Sequence, residues 1–270
     1  MPDKLPHPLG GPPPAEIGLA RAPLVRVIAQ IVFPGLLKID NKDVVASFQE
    51  RIRKSYPLFE QQSVQQLHLR LGEGQPVVQQ MPGNVWCFFD ADRQWRLILN
   101  NNSVSLDTTN YESRKSFISQ LTNVISAVEA AFDPQIALRL GLRFIDRVVG
   151  DPLEEIDSLV LSEMMGIANT SYRPHVRHSM TEALVAIEEG EMLLRWGLLS
   201  ANATIQPGVL DPVSQPSWIL DIDVYSSEQR KFEIEPLRAA FVALAERAYS
   251  VFRHMTTKQF LTTYGARDDS

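Results

Sequence analysis

A chain with a single cysteine cannot cross-link itself, and Cys87 stands alone between Trp86 and Phe88 in an apolar run. An internal disulfide and a thiolate metal cluster are therefore excluded, which fits a reducing compartment. Positive charge is also scarce: 26 Lys and Arg face 32 Asp and Glu, and the net charge of −6 supplies no global attraction to nucleic acid or to an anionic membrane. No apolar run approaches the ~20 residues that a spanning helix needs. The first residues, MPDKLPHPLGGPPPAE, lack the basic-then-apolar order of a secretory leader. These absences together predict a cytoplasmic protein with no membrane partner.

Motifs for catalysis are missing as well. No serine sits in a Gly-x-Ser-x-Gly turn, and Gly72, Gly74 and Gly83 come without the spacing or the lysine of a phosphate-cradling loop. His175 and His178 form an H-x-x-H just after Pro174, with no Glu between them, and read as part of a polar surface loop. Cys87 reads as a small core residue. No cofactor is predicted.

Enough apolar material is present, 44% of 270 residues, to bury a core as one large domain or two small ones. Its clearest expression is Gln135 to Val149, QIALRLGLRFIDRVV. Ile136, Leu138, Leu140, Leu142, Phe144 and Val148 form an apolar row interrupted only by Asp146, while Arg139, Arg143 and Arg147 fall on the opposite face. That period of two is a strand pattern, since a helix would scatter these side chains around its circumference.

Before this strand, residues 1–21 are rich in Pro and Gly and read as a disordered leader. Leu24 to Phe33 alternates as a first strand, with Val25, Val27, Ala29, Ile31 and Phe33 on one face. Asp43 to Tyr56 is a predicted amphipathic helix, followed by strands at Val64–Leu71, Asn84–Phe89, Trp95–Asn100 and Ser103–Thr108, then a helix over Tyr111–Phe132 stopped by Asp133-Pro134. After the arginine strand come a mixed segment and strands at Met180–Glu188, Met192–Leu199 and Ser217–Tyr225. A long helix starting near Pro236 and a short terminal helix follow. Trp86, Trp95, Trp196 and Trp218 each fall in a predicted strand and are expected to fill core.

Both halves thus show strand, helix, three or more strands, long helix. The predicted fold is α+β, a tandem βαβββα duplication with antiparallel sheets and helices packed on one face: a leader at 1–21, lobes at 22–134 and 135–265, and a disordered tail at 266–270. A groove between the lobes is the default ligand site.

Two charged rows are the sharpest candidates for chemistry. Arg139, Arg143 and Arg147 stand about 13 Å apart along their strand, too far to hold one phosphate but placed to bind separate acidic groups. Asp221 and Asp223 share one face of WILDIDVY, where they can pair with those arginines or hold a divalent cation. The phosphate-gripping turn and third carboxylate of a metal-dependent nucleotidyl-transfer enzyme are not evident, so pairing is the preferred reading.

RLGLRFID at Arg139–Asp146, PLVRVIAQIVFP, GEMLLRWG at Gly190–Gly197, WILDIDVY and the late MTTKQF together resemble a sporadically distributed, functionally uncharacterised family of bacterial cytoplasmic proteins. The resemblance runs from about Pro23 onward, and its most specific part is R-x-G-x-R-[FY]-[IV]-[DN]. It implies the fold boundaries and a bacterial cytoplasmic setting, and brings no catalytic residues. Arg26 lies near a place where that family often has an acidic residue. The expected function is a non-catalytic binding or adaptor protein with a protein partner, using the inter-lobe groove or an exposed sheet edge. The alternatives are an enzyme or sensor for a phosphorylated or nucleotide-like ligand, a small anion in either case, and a subunit of a homo- or hetero-oligomeric assembly.

Overall fold

The computed structural model describes residues 7–70 and 77–266. The first half comprises β1 (Leu24–Val32), α1 (Lys42–Ile52), β2 (Leu58–Arg70), β3 (Val77–Phe89), β4 (Trp95–Asn100), β5 (Ser103–Thr108) and α2 (Arg114–Phe132). The second comprises β6 (Ile136–Ala137), β7 (Arg139–Val148), α3 (Asp151–Glu154), α4 (Ile156–Leu159), β8 (Ser179–Ile187), β9 (Gly190–Leu199), β10 (Ser217–Ser226), β11 (Arg230–Lys231), α5 (Ile234–Met255) and α6 (Lys258–Thr263). The fold is α+β.

Nine strands form one antiparallel sheet in the order β2-β3-β4-β5-β1-β7-β10-β9-β8. The two halves could have joined edge to edge or face to face, and they join edge to edge: β1 and β7 pair directly from Val32↔Arg139 to Leu24↔Asp146, so on the sheet itself the halves meet without a gap. The reason lies in the composition of these two strands. Val27, Ala29, Ile31, Leu140 and Leu142 are all fully buried, and side by side they form one continuous apolar floor. Helices α1, α2 and α5 cover this floor, with α2 packed against α5 and α5 lying over β7 and β10. Phe48 of α1 meets Phe88 of β3 and Phe132 of α2, and Phe117 of α2 stacks on Trp95 of β4. The four tryptophans do turn to the helix side, with Trp86 and Trp218 fully buried.

Local sequence explains most element ends. Asn41 caps α1 by accepting from the Asp43 amide, so the cap falls two residues before the Asp43 start read from the pattern. Ser113 caps α2, which ends where Asp133 turns left-handed (φ 46°) before Pro134. β2 and β3 are longer than read, because the segment around Pro82 and Gly83 continues β3 opposite Gln65 and Val64. β4 pairs with β3 only over Trp86–Phe89, so position 82 has one neighbouring strand and a proline is tolerated there.

Two readings change. The register of β1 slips between Leu24 and Arg26, a bulge that moves Val25 away from Val27 to the helix-free face, where it packs on Ile145, Leu199, Leu210 and Ile219. The leader is not free over its described part. The Ala20 and Arg21 amides donate to the Gly265 and Tyr264 carbonyls, the Ile17 amide donates to the Tyr249 hydroxyl (2.7 Å), and Leu19 bridges Ala266. Residues 1–6 and 267–270, the ends of the expected leader and tail, lie outside the described residues. No helix among the described residues is long and apolar enough to cross a membrane.

Candidate functional site

The helix-free face carries the predicted charged rows, and each is internally engaged. Asp223 lies opposite Arg143, and Asp221 opposite Ile145, in the β7–β10 register. Arg143 closes its fork on Asp221, Nε to Oδ1 and Nη2 to Oδ2 at 2.7 Å each, and Nη1 reaches the Gln206 side chain. Asp221 is fully buried and has a second cation in Arg195 at 3.5 Å, which in turn holds Glu182. A carboxylate held this way has little left to offer a metal ion. Among the described residues, no cluster of three or more side chains suited to metal binding is present.

Arg139 lies back over Gly141, with Nη1 only 2.8 Å from where a Cβ would be, and stacks on the Tyr225 ring at 4.4 Å. Arg147 is nearly buried and donates to the Asp211 carbonyl at 2.7 Å. The three arginines therefore serve three different partners. Arg26 joins the same kind of network from β1, sharing Asp107 with Arg96. Asp223 is the looser member: burial pushes its carboxyl up, while Arg139 and Arg143 pull the other way. His175 and His178 are exposed and belong to the loop before β8. Cys87 is buried, and burial raises its thiol.

The opposite, helix-side face holds a feature that the charge pattern does not mark. A cavity of about 150 Å³ lies where both halves meet, walled by the leader around Ile17, by Leu24 of β1, Tyr111 before α2, Phe144 of β7, Ile222 of β10 and Tyr249 of α5. Its lining is mainly apolar, and Asp146 is the acidic group set into its floor. That carboxyl is only 5% exposed and, among the described residues, accepts no hydrogen bond; burial alone pushes it up to about 7. Arg114 stands at the rim, bridged to Glu16 at 3.5 Å and Glu246 at 3.4 Å, with its guanidinium over the Tyr249 ring. Ala245 and Ala248 of α5 leave the room that larger side chains would fill.

Sequence reasoning passed over Asp146 as a break in the apolar row of β7. The interruption was the available signal: a lone carboxylate on a core face is costly unless paired or used. No family model and no curated protein matches the chain.

Proposed function

We propose that the chain is a non-catalytic binding protein whose site is the cleft between its two halves, on the helix side of the sheet around Asp146. The observation that carries this reading is a carboxyl buried without a partner among the described residues, in a largely apolar cavity walled by elements of both halves. A purely structural carboxylate would be expected to have donors, as Asp107 and Asp221 do. The closed fork of Arg143 on Asp221 speaks against the alternative of an anion- or nucleotide-binding enzyme or sensor. The resemblance to the bacterial family, with its cytoplasmic setting, belongs to the same proposal and rests on the RLGLRFID and LDID runs.

A second reading, an adaptor or assembly subunit, is favoured by one feature. β8 is an edge strand, paired on one side by β9, and its Leu184 is 60% exposed. Native mass spectrometry of gently purified protein separates the two. A retained small molecule, lost in a folded Asp146→Asn variant, supports the cleft. A retained protein chain, lost on Leu184→Lys and indifferent to Asp146→Asn, moves the function to the sheet edge.

A further inference from the structure

We infer that the cleft takes a small organic ammonium, an aromatic or branched aliphatic body carrying one protonated amine, with the amine on Asp146 and the body between the aromatic walls. This rests on the reading of the cleft as the binding site and names its ligand class. The carboxyl in the floor can use a donor, and a cationic donor repays its burial best. Tyr111, Phe144 and Tyr249 present ring surface to the same space, which suits both an apolar body and a neighbouring positive charge. The rim has the same sign preference. Glu16 and Glu112 line it above the Asp146 floor, against Arg114 as the cation of the lining, which already bridges Glu16 and Glu246. An anionic ligand would meet three carboxylates there. The volume of about 150 Å³ limits the body to roughly one ring.

Proton balance supplies a readout that apolar binding alone would not move. At pH 7 a carboxyl pushed up to about 7 is partly protonated, and pairing with an ammonium drives it to the carboxylate, releasing that proton to buffer. Tyr264 feels the Asp146 charge, and its hydroxyl, pushed up to about 12 mainly by burial, stays protonated throughout.

The test is isothermal titration calorimetry of the full chain with benzylammonium, the isosteric benzyl alcohol and benzoate, at pH 7 in two buffers of different ionisation enthalpy. The expected result is binding of benzylammonium at least tenfold tighter than benzyl alcohol, no binding of benzoate, and a net release of protons on binding benzylammonium. The preference and the proton release should both vanish in Asp146→Asn, while Ala248→Leu, which narrows the cavity and keeps the carboxyl, should weaken both neutral and cationic probes. Equal binding of benzylammonium and benzyl alcohol, unchanged by Asp146→Asn, would overturn the ammonium class and leave the cleft as an apolar site. Failure of all three probes to bind folded wild-type protein at millimolar concentration would overturn the ligand class and the cleft reading together.

Discussion

Two aspartates on adjacent strands show how position decides the meaning of one side chain. Asp221 and Asp146 are both nearly inaccessible, but Asp221 is gripped by Arg143 whereas Asp146 has no such partner among the described residues. Removing Arg143 leaves a buried anion with only the 3.5 Å contact to Arg195, so Arg143→Ala is expected to destabilise the fold by about 3 kcal/mol in urea titration. The double change Arg143→Met with Asp221→Leu should cost clearly less, because no charge is stranded. Asp146 acts in the opposite sense. Its folded carboxyl titrates near 7, above the ordinary value of 3.8, so the folded state holds its proton more tightly and stability falls as pH rises from about 4 through 7. Asp146→Asn should flatten that slope and be the more stable protein at pH 8, by on the order of 3 kcal/mol, with little difference at pH 4. A wild-type midpoint that does not fall between pH 5 and 8 would contradict the buried, unpaired carboxyl. The period-two pattern displayed both aspartates, but pairing depends on which strand lies alongside, and no single strand carries that information.

Among the elements, β9 is the one whose backbone tolerates least. Gly197 sits at φ +139°, and a Cβ there would lie 1.9 Å from the Ser179 carbonyl oxygen of β8. Since the clash is with backbone, the strands must separate to relieve it, and Gly197→Ala is expected to cost about 3 kcal/mol or more and to loosen β8 in hydrogen exchange. Intact protection of the β8 amides in that variant would show the close approach to be relieved elsewhere. Helix and strand existence was legible from periodicity for β1, β4, β5, β7, β10, α2 and α5, because each carries an apolar row of period two or a helical apolar stripe in its sequence, even where, as in β5, both faces end up buried. Ends and faces were less so. The bulge at Val25 is a tertiary event, made where β1 must satisfy β7 and the loop carrying Leu210 at once, and it reverses the side chain that strict alternation assigns.

At the scale of the molecule, the β1–β7 seam makes the halves interdependent. Their apolar residues belong to one core cluster that runs from Phe88 in the first half to Phe260 in the second. Unfolding is therefore expected as a single cooperative transition, with calorimetric and van't Hoff enthalpies equal; two resolved transitions would restore the picture of separate lobes.

By itself the sequence determined the α+β class, most of the strands and long helices, and the face on which each arginine and aspartate stands. These follow from local periodicity, capping and turn chemistry, which act over a few residues. Only the tertiary structure decided that the halves share one sheet, that of the three arginines Arg143 is the one closed on Asp221, that residues 7–21 lie against α5 and the chain end, and that Asp146 opens onto a cavity. Each of those depends on contacts between segments distant in the chain, Ile17 with Tyr249 and Leu24 with Asp146 among them. Long-range contacts are selected by how well whole surfaces pack, a property of the assembled chain.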